Sequence, residues 1–153
     1  MNNDPKFAYR ESAARVTTPV GRVVLLYEQA IQDLGGAVAA IGSQEIEPRT
    51  QKIGHALLVI GQLQACLDLE RGGEVGRNLD RFYALVRQRL LEAQINASAV
   101  ILREQMDLLL SVRAAWIEVE KTETQAAADV ASQAGPPGSG TSVPDSAPSR
   151  WRA

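Results

Sequence analysis

The sequence predicts an all-α protein: an antiparallel four-helix bundle with a mobile N-terminal arm and a disordered C-terminal tail. Three observations lead there. Val20, Val24, Tyr27, Ile31, Leu34, Val38 and Ile41 step by four and three residues in turn, the unbroken heptad stripe of a helix lying along another helix. In CLDLERGGEVGRNLDRFY, residues 66–83, one apolar helical stripe stops at Gly72-Gly73 and a second begins, which makes a helical hairpin. Helix-start signals also recur along the chain, at Thr18-Pro19, at Pro48 and around Asn96–Ser98.

Residues 1–16 are polar apart from Phe7, Tyr9 and a few small side chains, and they are expected to form the arm. The bundle spans residues 17–122. Thr18 caps the first helix, and Pro19 takes its first turn, where a missing N–H costs nothing. Gly35-Gly36 falls inside this helix and is read as a point of close packing. An acidic turn at Gly42–Glu47 leads into a second helix ending near Arg71, with Gly72 closing it. A third helix runs from about Glu74 to Gln94.

Ile53, Leu57, Ile60 and Leu67 are expected to lie against Val75, Leu79, Phe82 and Val86. Arg77, Arg81, Arg87 and Arg89 form a solvated face within reach of acidic side chains. The fourth helix, about Ser98 to Thr122, has two stripes. Ile101, Leu108, Val112, Ala115 and Val119 form one; Leu102, Met106, Leu109 and Trp116 form the other. That is wider than one seam needs. Either both stripes are core, or part of the second lines a groove, to which Met106 and Trp116 are suited. Residues 123–153 are rich in Ala, Gly, Ser and Pro and lack a periodic apolar face, so they are read as a disordered tail.

Composition narrows the function. A net charge of -2 and a pI near 5.5 give no general attraction for nucleic acid or anionic membranes. No apolar run approaches the ~20 residues that span a bilayer, and the N-terminus lacks the apolar stretch of a secretory signal. A cytoplasmic protein with protein partners, without membrane insertion, is expected. The single Cys66 rules out an internal disulfide, and its apolar context reads as a buried thiol.

An enzyme is not expected. His55, the only histidine, reads as a surface or satisfied polar residue; it lies three helical turns, roughly 16 Å, from Cys66 along one helix. A di-iron bundle needs two Glu-x-x-His motifs, but residues 52–55 read Lys-Ile-Gly-His. There is no phosphate-cradling GxxxxGK[ST] loop. No metal or cofactor is expected.

Leu67-Asp68, Glu70, Gly72-Gly73-Glu74-Val75, Asn78-Leu79 and Phe82-Tyr83 resemble the central signature of the FliS family of flagellar secretion chaperones. Thr17-Thr18-Pro19, Leu25-Leu26-Tyr27, Ala30, Arg89-Leu90, Ala93 and Ala115-Trp116 extend the resemblance, in order, over about residues 8–120. The resemblance implies a chaperone that binds the C-terminal helical region of flagellin, prevents premature polymerisation and aids delivery to the flagellar type III export gate. It also implies Tyr9, Tyr27, Leu67, Asn78, Leu79, Phe82 and Tyr83 as positions at or behind the binding surface. Tyr27 and Leu79 sit on packing stripes and serve structure as readily as binding; Tyr83 is the candidate for an exposed contact. Ala8-Tyr9, with Phe7, resembles an N-terminal plug over part of that surface. Gln29, Arg22 and Leu85 depart from the family pattern, which bears on the groove's shape. The alternatives are an adaptor for another flagellar protein, or a homo-oligomer, with the free protein a monomer or weak homodimer.

Overall fold

The computed structural model describes residues 18–134 and has four helices: α1 (Pro19–Gly42), α2 (Ile46–Ala65), α3 (Gly73–Asn96) and α4 (Ala99–Gln133). Short connections force each helix to run antiparallel to the one before it. The cross-links show the same order. Thr50 bonds Gln94 and Gln64 bonds Arg87 between α2 and α3, Arg89 reaches Glu104 on α4, and Arg113 of α4 reaches back to Glu28 on α1. The four-helix bundle read from the sequence is the observed fold.

Local chemistry explains the ends. Thr18 Oγ1 accepts from the Gly21 N–H at 3.0 Å with Pro19 in the first turn, so α1 begins where expected. Helix α2 stops at Ala65, short of the expected Arg71. Asp68 Oδ1 accepts from the backbone N–H groups of Glu70 and Arg71, both at 3.1 Å, and this local turn competes with further helix. The glycine roles also differ from expectation. Gly72 is right-handed, and a Cβ there would stand 2.6 Å from the Asp68 carbonyl oxygen; Gly73, at φ +57°, takes the left-handed conformation. Ala97 closes α3 in the left-handed region, and Ser98 Oγ accepts from the Ile101 N–H to start α4.

The core gathers Tyr27, Leu34, Ile53, Ile60, Leu63, Tyr83, Val86, Leu90, Leu102 and Leu109 from all four helices. On α1, Val24, Tyr27, Ala30, Leu34, Ala37 and Ala40 are innermost, while Ile31, Val38 and Ile41 flank them. At Gly35-Gly36 the approach is close on one side and ordinary on the other. A Cβ on Gly36 would meet Lys52 carbons of α2 at 3.2 Å, and one on Gly35 would meet Met106 of α4 at 3.7 Å. On α3 the expected stripe holds at Val86, which is buried, and partly at Leu79, but not elsewhere: Val75 is exposed beside buried Gly76, and Tyr83 rather than Phe82 is innermost.

Among the described residues, 18–121 form one compact unit and 122–134 belong to a second. Helix α4 continues past the expected Thr122 to Gln133. Residues 122–134 are all exposed, so helix propensity in an Ala- and Glu-containing stretch without Gly or Pro sustains this segment instead of burial.

Candidate functional site

Two open apolar clefts lie on the first unit, and both involve α4. The larger, about 790 Å³, is lined by Pro19, Val20, Val23, Leu25 and Leu26 of α1, by Gln62 and Cys66 at the end of α2, and by Trp116 of α4. The smaller, about 650 Å³, lies between α3 and α4 over Phe82, Leu85, Val86, Gln105 and Leu108. Its rim is charged. Arg89 donates to Glu92 Oε2 at 2.6 Å and to Glu104 Oε2 at 3.1 Å, which raises the guanidinium pKa and pins Arg89 beside the cleft.

Inside the bundle two tyrosines join α1 to α3. Tyr27 and Tyr83 are fully buried, and their hydroxyls share a 2.7 Å hydrogen bond across the diagonal of the bundle. Their ring centroids lie 6.2 Å apart at 56°, and Phe82 adds a tilted contact at 5.7 Å to Tyr83. Burial raises the pKa of both phenols. For Tyr27 this is partly offset by hydrogen bonds with Tyr83 and Trp116; for Tyr83 the bond to Tyr27 pushes further upward.

A second polar contact ties α1 to α2. Asp33 is 2% exposed, and its carboxylate meets His55 Nδ1 at 2.5 Å and accepts from Gln29 Nε2 at 3.2 Å. The expected satisfied role of His55 is therefore what is found. Burial of Asp33 had no signal in the sequence, because an isolated acid beside Leu34 reads as the solvent edge of a stripe. The only informative feature was a histidine one step off the apolar face of a neighbouring helix.

The positions singled out by sequence separate into three groups. Phe82, Leu67 and Leu79 are half-buried against the core, and Phe82 also lines the α3/α4 cleft. Asn78 is exposed. Tyr27 and Tyr83 are core, so the expectation that Tyr83 makes an exposed contact is corrected: between the adjacent aromatics of α3 it is Tyr83, and not Phe82, that turns innermost. Phe7 and Tyr9, with the plug they suggested, lie outside the described residues. Cys66 is exposed and not buried, because α2 ends beside it.

On α4, Trp116 lines a cleft as anticipated, whereas Met106 packs on the core. Leu108, assigned to the other stripe, lines the second cleft. Leu25, Leu26 and Leu108 are cleft residues that had not been singled out as binding positions. Their signal was apolar character just outside the innermost stripe.

Among the described residues no group of three or more His, Cys, Asp or Glu is placed to hold a metal ion, and no helix is long and apolar enough to cross a membrane.

The profile of the flagellar protein FliS family matches residues 1–123. The flagellar secretion chaperone FliSB of Pseudomonas aeruginosa is 35% identical over 106 residues, covering 69% of this chain and 84% of that protein. The flagellar secretion chaperone FliS of Campylobacter jejuni is 29% identical over 126 residues, covering 82% and 98%. That of Salmonella typhimurium is 28% identical over 110 residues, covering 71% and 82%. With a bundle of this form and a family match that takes in α1, α2, α3 and α4 as far as residue 123, the chain belongs to the FliS family of flagellar proteins.

Proposed function

We propose that the protein is a cytoplasmic export chaperone that binds the C-terminal helical region of flagellin, keeps it from polymerising prematurely and aids its delivery to the flagellar type III export apparatus. The observation that carries this reading is the pair of open apolar clefts beside α4. Each is a trough between antiparallel helices, the shape that takes the apolar face of an amphipathic segment with anchors three and four residues apart. A client that is unfolded before assembly would order as it docks, so part of the binding free energy goes into that ordering.

Within this reading Leu25, Leu26 and Trp116 hold one client segment, and Phe82, Leu85 and Leu108 hold another. Tyr27 and Tyr83 support both walls from behind. Leu67, Leu79 and exposed Asn78 extend the surface along the α2–α3 hairpin, and Phe7 and Tyr9 serve as a reversible plug. The relatives named above are chaperones, in accord with a binding protein rather than an enzyme.

Size-exclusion chromatography with light scattering tests this directly. The protein is mixed with flagellin of the same organism and with flagellin lacking its C-terminal helical region. A one-to-one complex with the first and none with the second is expected. Equal binding to both would move the client segment elsewhere, and no binding to either would remove flagellin as the client.

A further inference from the structure

The floor of the α3/α4 cleft holds a polar group that the fold leaves unused. Gln105 is only 4% exposed, lines this cleft and lies between Leu102 and Leu109 on its own helix, both fully buried. Its side-chain amide has no hydrogen-bond partner among the described residues, and neither its oxygen nor its nitrogen is sealed from solvent, so the access that remains is through the cleft. Other glutamines of the bundle are engaged. Gln29 donates to Asp33, Gln64 to Asp80 and Gln94 to Thr50, and all three are more exposed than Gln105.

A nearly buried amide without a partner costs free energy, and methionine or leucine would serve the bundle better at this position. Its surroundings in the cleft are Phe82, Leu85, Val86 and Leu108. When an apolar segment covers them, the amide loses the water it still reaches. A segment without a hydrogen-bonding group at that point is then penalised, and one that carries such a group is not. The rim adds a charge preference. Arg89 is held by Glu92 and Glu104, while Asp107 has no ion-pair partner among the described residues, so the free charge beside the cleft is negative.

We infer that Gln105 is a recognition residue that fixes the register of the segment held in this cleft. The occupant is an amphipathic helix with one Asn, Gln, Ser or Thr in the middle of its apolar face and a Lys or Arg beside that face, to meet Asp107. The backbone groups of a helix are bonded within it, so the partner of Gln105 is a side chain. A single polar residue in an apolar helix seam sets the alignment of the two helices at some cost in affinity. In the larger cleft the polar lining residues, Arg22, Gln62 and Cys66, are all exposed, so selection by a buried amide belongs to the smaller one. The inference rests on the reading of this cleft as a client groove, but it does not require the client to be flagellin.

Two designed helical peptides test this on the full-length protein by titration calorimetry. They share an apolar face of leucines and a flanking lysine and differ only at the central apolar position, Asn in one and Leu in the other. Relative to the wild type, Gln105→Met should shift the ratio of their affinities about tenfold toward the Leu peptide. The same variant should melt at a higher temperature, because an unpartnered amide gives way to an apolar side chain of similar length, and this separates loss of discrimination from loss of folding. Phe82→Ser should weaken both peptides, as occupants of this cleft. An unchanged ratio, a lower melting temperature for Gln105→Met, undiminished binding to Phe82→Ser, or no binding of either peptide would each overturn the inference. An unchanged ratio in a protein that still captures flagellin removes this inference alone. A shifted ratio in one that does not capture flagellin supports it and removes only flagellin as the client.

Discussion

The sealed middle of the bundle and the open clefts beside α4 are built from the same residue types, yet they do different work. Tyr83 and Leu109 are fully buried; Phe82 and Leu108, one position earlier on the same helices, line a cleft. One step along a helix is a turn of about 100°, enough to carry a side chain from a neighbour's interior face to its open edge. Helices with apolar faces broader than one packing seam give this bundle both a core and a surplus. The surplus costs little stability to keep, and it is where a partner would be covered.

Substitutions across that step should separate the two roles. Leu109→Ala leaves a cavity among fully buried neighbours and should cost about 2–5 kcal/mol in denaturant unfolding, whereas Leu108→Ala should cost less than about 1 kcal/mol. Comparable losses for the pair would erase the distinction between core and cleft. Next in size is the tyrosine pair. Tyr27→Phe leaves the Tyr83 hydroxyl buried without its partner and should cost about 1–3 kcal/mol. Tyr83→Phe leaves the Tyr27 hydroxyl in the same position and should cost a similar amount. The double variant should be less destabilised than the sum of the two, a coupling that a double-mutant cycle measures.

Alkaline pH examines the same pair. Both phenols have pKa values raised above 10.0 by burial, so the folded state favours their neutral forms. Their contribution is complete below pH 10 and is lost as pH rises above it, where the unfolded chain releases protons that the folded chain holds. Phenolate absorbance from these two residues should therefore appear together with unfolding, and replacing both with phenylalanine should abolish that coincidence. The smallest stability effects belong to the cleft. Phe82→Ser and Trp116→Ala should shift unfolding only modestly, since both side chains are partly exposed, while weakening flagellin binding at least about tenfold if the clefts hold the client. Undiminished binding in both variants would place the client elsewhere on the bundle.

Much of the fold was legible because its signals are local. Thr18-Pro19 marks the start of α1 through a cap and a missing donor, both properties of adjacent residues. The four helices follow from spacing alone. What could not be read was rotation about the helix axis where apolar residues stand side by side. Phe82-Tyr83 and Leu108-Leu109 each offer two equally apolar choices, and only packing against three neighbours decides between them. The end of α2 was missed for another reason: Asp68 stops the helix with its own side chain, although Leu67 and Leu69 continue an apolar pattern across the turn. Asp33 was hidden because its partner His55 is 22 positions away on another helix. Of the candidate site, Phe82 and Trp116 were found as large apolar residues in the right neighbourhood, while Leu25, Leu26 and Leu108 emerge only when the helices are assembled.

The tyrosine bond also bears on the order of folding. The contacts joining α1 to α2 and α2 to α3 are between neighbours in sequence, and each hairpin closes over a loop of only a few residues. Tyr27 and Tyr83 are 56 positions apart on helices that are not consecutive, so their hydroxyls meet only after three helices have been brought together. Folding of this chain should pass its rate-limiting barrier with the hairpins largely formed and the diagonal still open. Removing the bond would then speed unfolding while leaving the folding rate nearly unchanged, and the last part of the molecule to become native would be the buried pair that joins its first and third helices.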